Sequence, residues 1–139
     1  MDTTNLFVYG TLMVSSIFVR VAGEDFPKQT GMLKDYGRFR VNGETYPAII
    51  PMPGDHTDGI TYFNVNRLAL QRIDAFEGDM YQRSRVVVQT SDNPRVIAHA
   101  YILRPEYRDR LTDERWRLET FQKQHQQAFI DSFNGFEKI

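Results

Sequence analysis

Leu6-Phe7-Val8-Tyr9-Gly10-Thr11-Leu12 is the stretch from which the rest of the chain is read. Four consecutive apolar, β-favouring residues run straight into a glycine, as in a buried strand that must turn sharply at its end. Such a turn can aim successive backbone N–H groups into one concavity, where they suit a carboxylate or a carbonyl oxygen. An ordinary strand-to-loop glycine fits the same local pattern, and on that pattern alone it is the simpler reading.

Working outward, Ser15-Ser16 can cap a short helix over 17–22 that Gly23 ends, although Ile17, Val19 and Val21 also alternate like a strand. Residues 24–30 read as a loop. From Gly31 the pattern turns to β: Met32-Leu33, then 38–41, with Asn42-Gly43 as a tight hairpin turn and 44–51 as the return strand. Pro47 marks that strand as an edge or a bulge, because proline has no N–H to donate. Pro53-Gly54-Asp55 predicts a further turn, and 59–65 alternates as a strand.

Asn66 then stands where a helix cap belongs, and Ala69, Ile73 and Phe76 recur at helical spacing before Gly78 closes the element. Residues 81–90 and 96–103 read as a second hairpin around Ser91-Asp92-Asn93-Pro94. A single helix is expected over 113–133, with Leu118, Phe121, His125, Ala128 and Phe129 on one face. The expected architecture is a mixed α/β (α+β) fold: one domain over 1–139, an antiparallel-rich sheet or small β-barrel, and a few covering helices, with 113–133 packed on it.

Composition narrows the function classes. With 139 residues the chain suits one core, and with 41% hydrophobic and 13% aromatic residues that core can be well filled. Lys plus Arg (17) nearly balances Asp plus Glu (18), so the basic excess needed to hold nucleic acid is missing. The absence of cysteine rules out disulfides, thiolate catalysis and sulfur-held metals, and is compatible with the cytoplasm, the expected location. No apolar run approaches the ~18 residues of a membrane span. His56, His99 and His125 show no ligand spacing, so no metal is expected. Glycine-rich phosphate loops and a serine elbow are likewise missing, so no cofactor is expected.

What remains is the glycine turn and an acidic helix end. Glu77 falls at the C-terminal end of the helix expected before Gly78, where the negative end of the helix dipole opposes ionisation, and Asp74 one turn back adds a like charge. A carboxylate so placed can act as general base and then general acid near neutral pH if it faces a pocket. An exposed glutamate before a glycine cap satisfies the same pattern. Tyr81 and Arg83 follow close by; Tyr81 can cover the core and Arg83 can pair with Asp79.

Four motifs in order, Phe7-Val8-Tyr9-Gly10-Thr11-Leu12, Tyr46-Pro47-Ala48-Ile49-Ile50-Pro51, 59–65, and Ile73-Asp74-Ala75-Phe76-Glu77-Gly78 with Tyr81-Gln82-Arg83, resemble the gamma-glutamylcyclotransferase-like family. The likeness runs from about Leu6 to Tyr101. Trp116, Glu119, Phe121, His125 and Phe129 resemble the C-terminal helix of that family's plant avirulence-induced-gene branch. The resemblance implies a small β-barrel core and a cofactor-free enzyme that converts a γ-glutamyl amine or γ-glutamyl amino acid to 5-oxoproline and a free amine. It further implies that Gly10, Thr11 and Leu12, with Tyr9, hold the glutamyl group, that Glu77 moves the proton, and that Tyr46 and Tyr81 line the pocket. The partner expected is therefore a small γ-glutamyl molecule, without nucleic acid or membrane. Met13-Val14-Ser15-Ser16 departs from the glycine and proline-asparagine common after this loop in relatives. The alternatives are a binding module that keeps the pocket without catalysis, and an amide-cleaving enzyme in which Glu77 activates water.

Overall fold

The computed structural model describes residues 2–137, with side chains described through Ser132; Met1, Lys138 and Ile139, the ends of the expected 1–139 domain, lie outside the described residues. Strand β1 covers Thr3–Val8 and leads through a 3-10 turn at Thr11–Met13 into helix α1, Ser15–Ala22. Gly23 ends α1 in the left-handed conformation (φ 91°), the geometry expected of a glycine cap. β2 (Lys28–Val41) and β3 (Pro47–Asn66) form one long hairpin, followed by helix α2, Arg67–Glu77. β4 (Tyr81–Thr90) and β5 (Val96–Leu103) form the second hairpin.

The strands run in the order β3-β1-β5-β4-β2, and β2 pairs again with β3, which closes a five-stranded barrel. Closure leaves these strands few open edges, and the β1–β5 pairing is the parallel seam in an otherwise antiparallel ladder. The mixed α+β, barrel-cored expectation is what the chain adopts.

Several boundaries differ from the expectation for physical reasons. Residues 28–30, read as loop, extend β2 because they pair with residues 60–62 of β3. Gly43 adopts φ 76° at the expected turn, yet the return strand begins only at Pro47, after Val41 N–H bonds Tyr46 O at 3.1 Å. The turn expected at 53–55 does not separate two strands. It is an excursion within β3 opposite a register shift between Lys34 and Tyr36, held by Gly54 N–H on Asp35 Oδ1 at 3.0 Å.

The single helix expected over 113–133 is replaced by three elements. β6 (Leu111–Arg115) pairs with β2, and α3 (Leu118–Gln124) and α4 (Gln126–Glu137) follow. His125, expected on an apolar helix face, is the break between them (φ −130°). The break is required by packing: eight residues of straight helix rise about 12 Å, whereas the Phe121 and Phe129 rings meet at 5.7 Å.

Alternation along β1 sorts side chains into two cores. Phe7, followed by Tyr9, joins Leu33, Ile49, Val88 and Ala98 inside the barrel. Leu6 and Val8 face the other way, onto Ile17, Phe18, Ile73 and Phe121 of the helical layer. Phe18 stacks on Tyr62 at 3.6 Å between centroids, and with Phe7 these rings are fully buried. Each such ring contributes on the order of 2 kcal/mol through burial. Because β1 is central to both cores, the loop leaving its end is held on a rigid base.

Candidate active site

β1 ends at Val8, and the chain after it lines a cavity of about 250 Å³. On one wall stand Tyr9, Gly10, Thr11 and Leu12; Tyr46 and Pro47 come from the β2–β3 turn, Glu77 from the end of α2, and Tyr81 from the start of β4. Tyr9, Gly10, Thr11, Leu12, Tyr46, Glu77 and Tyr81 therefore border one concavity, whereas Asp74 and Arg83 do not line it. Its size suits an amino-acid derivative rather than a nucleotide.

Gly10 is dictated by close approach. A Cβ there would stand 2.8 Å from Pro47 Cδ and 2.9 Å from Cγ, so any larger residue pushes the loop off the β2–β3 turn. The 3-10 turn that follows is closed by Met13 N–H on Gly10 O at 2.9 Å and Val14 N–H on Thr11 O at 3.1 Å. In such a turn the first N–H groups, those of Thr11 and Leu12, have no intrahelical acceptor. The chain after Gly10 is thus a tight 3-10 turn, despite Met13-Val14-Ser15-Ser16. Arg38 of β2 braces this loop from behind, donating from Nη1 to Tyr9 O at 2.8 Å and to Asp58 O at 2.8 Å. Its guanidinium also lies 5.3 Å above Trp116, which anchors the C-terminal segment by donating from Nε1 to Thr45 O at 2.7 Å.

Asn66 caps α2 through its side-chain oxygen, which accepts from Ala69 N–H at 2.9 Å, so the helix start and hence the facing of its last turn are fixed. Gly78 ends it at φ 80°. Glu77, the last helical residue, is partly exposed at the cavity while its carboxyl is enclosed by protein. Burial, and then the nearby Asp74 carboxylate, push its pKa up to about 8.

Four tyrosines surround this carboxyl with their phenols protonated. Tyr9 Oη donates to Tyr101 O at 2.5 Å and Tyr81 Oη to Pro47 O at 2.7 Å, and burial holds both phenols well above their ordinary ionisation range. Tyr46, where burial and then Glu44 act, is pushed up to about 12. Tyr101 donates to Asp74 Oδ1 at 2.6 Å, and burial followed by that hydrogen bond raises its pKa.

Asp74 is also gripped by Arg83, from Nε to Oδ1 at 2.9 Å and from Nη2 to Oδ2 at 3.3 Å. This corrects the expected Arg83–Asp79 pair: Asp79 instead lines the cavity. Arg83 Nη1 in turn meets His99 Nδ1, whose pKa burial and then Arg83 lower, so His99 is the neutral acceptor.

Arg38, Tyr101 and Phe129 shape the site without any local signal in the sequence. Arg38 and Tyr101 reach it only because β2 and β5 flank β1 in the closed barrel. Phe129 lines the cavity because the bend at His125 brings its ring to 6.1 Å from Phe76. Asp74 did carry a signal, one helical turn before Glu77. Among the described residues no group of three His, Cys, Asp or Glu stands together as a metal site. No helix among them is long and apolar enough to cross a membrane.

Residues 6–118 match the sequence profile of the family described as "Gamma-glutamyl cyclotransferase, AIG2-like". "AIG2-like protein D" of Arabidopsis thaliana is 36% identical over 90 residues, which cover 64% of this chain and 59% of that protein's own length. "AIG2-like protein A" of the same plant is 28% identical over 130 residues, 93% of this chain and 78% of the relative. A solution structure of an Arabidopsis thaliana protein superposes with a TM-score of 0.72 at 24% identity, over 99% of this chain and 93% of the other. A solved "Gamma-glutamyl cyclotransferase" superposes at 0.65 with 20% identity, over 74% and 68%. At these identities the structural likeness speaks to the fold.

Proposed function

The chain belongs to the gamma-glutamyl cyclotransferase, AIG2-like family, and from that premise we propose that it is a cyclotransferase, releasing 5-oxoproline and a free amine from a γ-glutamyl amine or γ-glutamyl amino acid. The observation that carries this reading is the enclosed Glu77 carboxyl, which burial and Asp74 push up to about 8, lining the same cavity as the tight turn of Tyr9 to Leu12.

In the proposed reaction the glutamyl α-carboxylate and γ-carbonyl oxygen lie against the donors of residues 10–12, and the α-ammonium faces Glu77. Ionised Glu77 takes one proton from the ammonium, and the amine nitrogen attacks the γ-carbonyl carbon of the same molecule. The new C–N bond closes a five-membered ring and places negative charge on the carbonyl oxygen, where backbone donors stabilise it. Glu77 returns its proton to the departing nitrogen as the old C–N bond breaks, then takes the second proton that the ring nitrogen sheds as it becomes the lactam N–H and passes it to the freed amine, which leaves as an ammonium. No water, metal or cofactor enters the balance. A carboxyl pushed to about 8 is matched to an amine far better than an ordinary glutamate, so both transfers run with little driving-force penalty. Ring closure has nucleophile and electrophile in one molecule, so the enzyme's contribution is orientation and charge stabilisation.

The reading is tested by incubating the protein with a panel of γ-glutamyl compounds in 18O-labelled water. Cyclisation yields unlabelled 5-oxoproline in equal amount with the amine. Labelled glutamate instead would assign water activation, and ligand-induced thermal stabilisation without any product would assign a binding module. The proposed location is the cytoplasm, and the proposed partner is the small-molecule substrate alone.

A further inference from the structure

Building on the cyclotransferase reading, we infer that Phe76, Met80, Phe129 and Asp79 select the leaving group: an apolar, aralkyl-type amine that carries no carboxylate of its own. The glutamyl half of the substrate is accounted for by residues 10–12 and Glu77. Beyond the scissile bond the amine must meet what flanks Glu77, and those residues are Phe76 on its N-terminal side and Asp79 and Met80 just after Gly78, all lining the same cavity.

Phe129 completes this wall from a distant part of the chain. Its ring packs edge-on against Phe76 at 6.1 Å and against Phe121 at 5.7 Å, and Phe121 in turn sits 5.9 Å from Trp116. The Trp116 indole is pinned by its bond to Thr45 O, so the aromatic row is fixed at its far end. An apolar group placed against Phe76, Phe129 and Met80 loses water on several sides, whereas a charged one loses hydration without a partner.

Charge works in the same direction. Among the described residues lining the cavity none is Lys, Arg or His, while two, Glu77 and Asp79, are carboxylic acids. A substrate's first carboxylate is met by backbone N–H groups; a second one on the leaving group would meet Asp79 instead. Arg104 lies by this rim but spends its Nε on Asp79 O at 3.1 Å and its Nη1 on Gln82 Oε1 at 3.5 Å, and it does not line the cavity.

Three substrates sharing the glutamyl half isolate the effect: γ-glutamyl-phenethylamine, γ-glutamyl-phenylalanine, which adds only a carboxylate, and γ-glutamyl-methylamine, which lacks the ring. The expected kcat/KM for the phenethylamine conjugate exceeds each of the other two by about tenfold or more. Phe129→Ala removes most of the phenethylamine conjugate's advantage over the methylamine conjugate, chiefly through KM. Asp79→Asn raises turnover of the phenylalanine conjugate selectively, and because Asp79 is exposed this variant reports even if the Phe129 change loosens α4. Equal kcat/KM for the phenethylamine and phenylalanine conjugates, or a Phe129→Ala loss shared equally by all three, overturns the inference while leaving cyclotransferase activity standing. Release of 5-oxoproline from none of the three overturns the underlying reading and this inference with it.

Discussion

Asp74 lies one helical turn from Glu77, and its carboxylate is held by the Tyr101 hydroxyl at 2.6 Å and the Arg83 guanidinium at 2.9 Å. The catalytic candidate therefore has a like-charged neighbour whose own charge is partly offset from the outer side of α2. Arg83 stands between that pair and the neutral His99, while the cavity around Glu77 also holds the protonated phenols of Tyr9, Tyr46, Tyr81 and Tyr101 and the carboxyl of Asp79.

This arrangement sets a pH profile. Free-enzyme Glu77 must be ionised to receive the ammonium's proton, so kcat/KM rises with pH and levels only above about 8. Asp74→Asn removes the like charge and moves the acid limb down, by less than burial raises it. Arg83→Met uncovers Asp74 and moves it up. Opposite displacements are the signature of charge; shifts in the same direction, or none, would mean that the network only holds the fold.

Stability runs the opposite way with pH. Glu77 has an unfolded pKa near the ordinary glutamate value and a folded one of about 8. Between those values the unfolded chain is ionised while the folded one keeps its proton. The contribution of a protonated Glu77 is thus complete at acid pH and lost as pH rises through 8. Glu77→Gln abolishes that loss. Chemical denaturation should find the variant more stable than wild type above pH 8, on the order of 2 kcal/mol after screening at this partly exposed residue, with the gap closing toward pH 4.

Gly10→Ala puts a methyl group 2.8 Å from Pro47 Cδ, and Pro47 is buried at the start of β3. The loop must retreat, costing about 1–3 kcal/mol. Because the displaced atoms are the proposed substrate donors, KM should rise several-fold, a change that a stability loss alone does not produce in steady-state assays at low temperature.

Tyr81→Phe deletes the hydroxyl that donates to Pro47 O at 2.7 Å and leaves a buried carbonyl unpaired beside the same turn. A loss of about 1–3 kcal/mol is expected by denaturation, with the 5-oxoproline assay showing whether the turn also loosens.

How much of this could be read from residues follows from where the determinants lie in the chain. Val8-Tyr9-Gly10, the Asn66 cap and Gly78 are local signals, because a strand end and helix ends are decided by a few neighbours, and α2 has the bounds its caps predict. In sequence the long β2–β3 hairpin falls into separate pieces because Pro53-Gly54 looks like a terminator, and only pairing across the barrel keeps β3 continuous through it. The helix expected over 113–133 failed where tertiary packing overrode periodicity: residues 111–115 pair with β2, and Phe129 bends back onto Phe76. Tyr9, Gly10, Thr11, Leu12, Tyr46, Glu77 and Tyr81 were legible through their motif context and do line one cavity. Arg38, Tyr101 and Phe129 were not, since each arrives from an element whose placement only the closed barrel determines.

The central claim is that Glu77 carries the proton in an intramolecular cyclisation, and the direct measurement is 5-oxoproline release by Glu77→Gln against wild type on the preferred γ-glutamyl substrate at pH 8. Glutamine keeps the size and the hydrogen-bonding capacity, so KM should change little. With the base gone, kcat should fall by about 10²- to 10⁴-fold in a variant that remains folded. A folded Glu77→Gln protein that turns over at the wild-type rate would contradict the account.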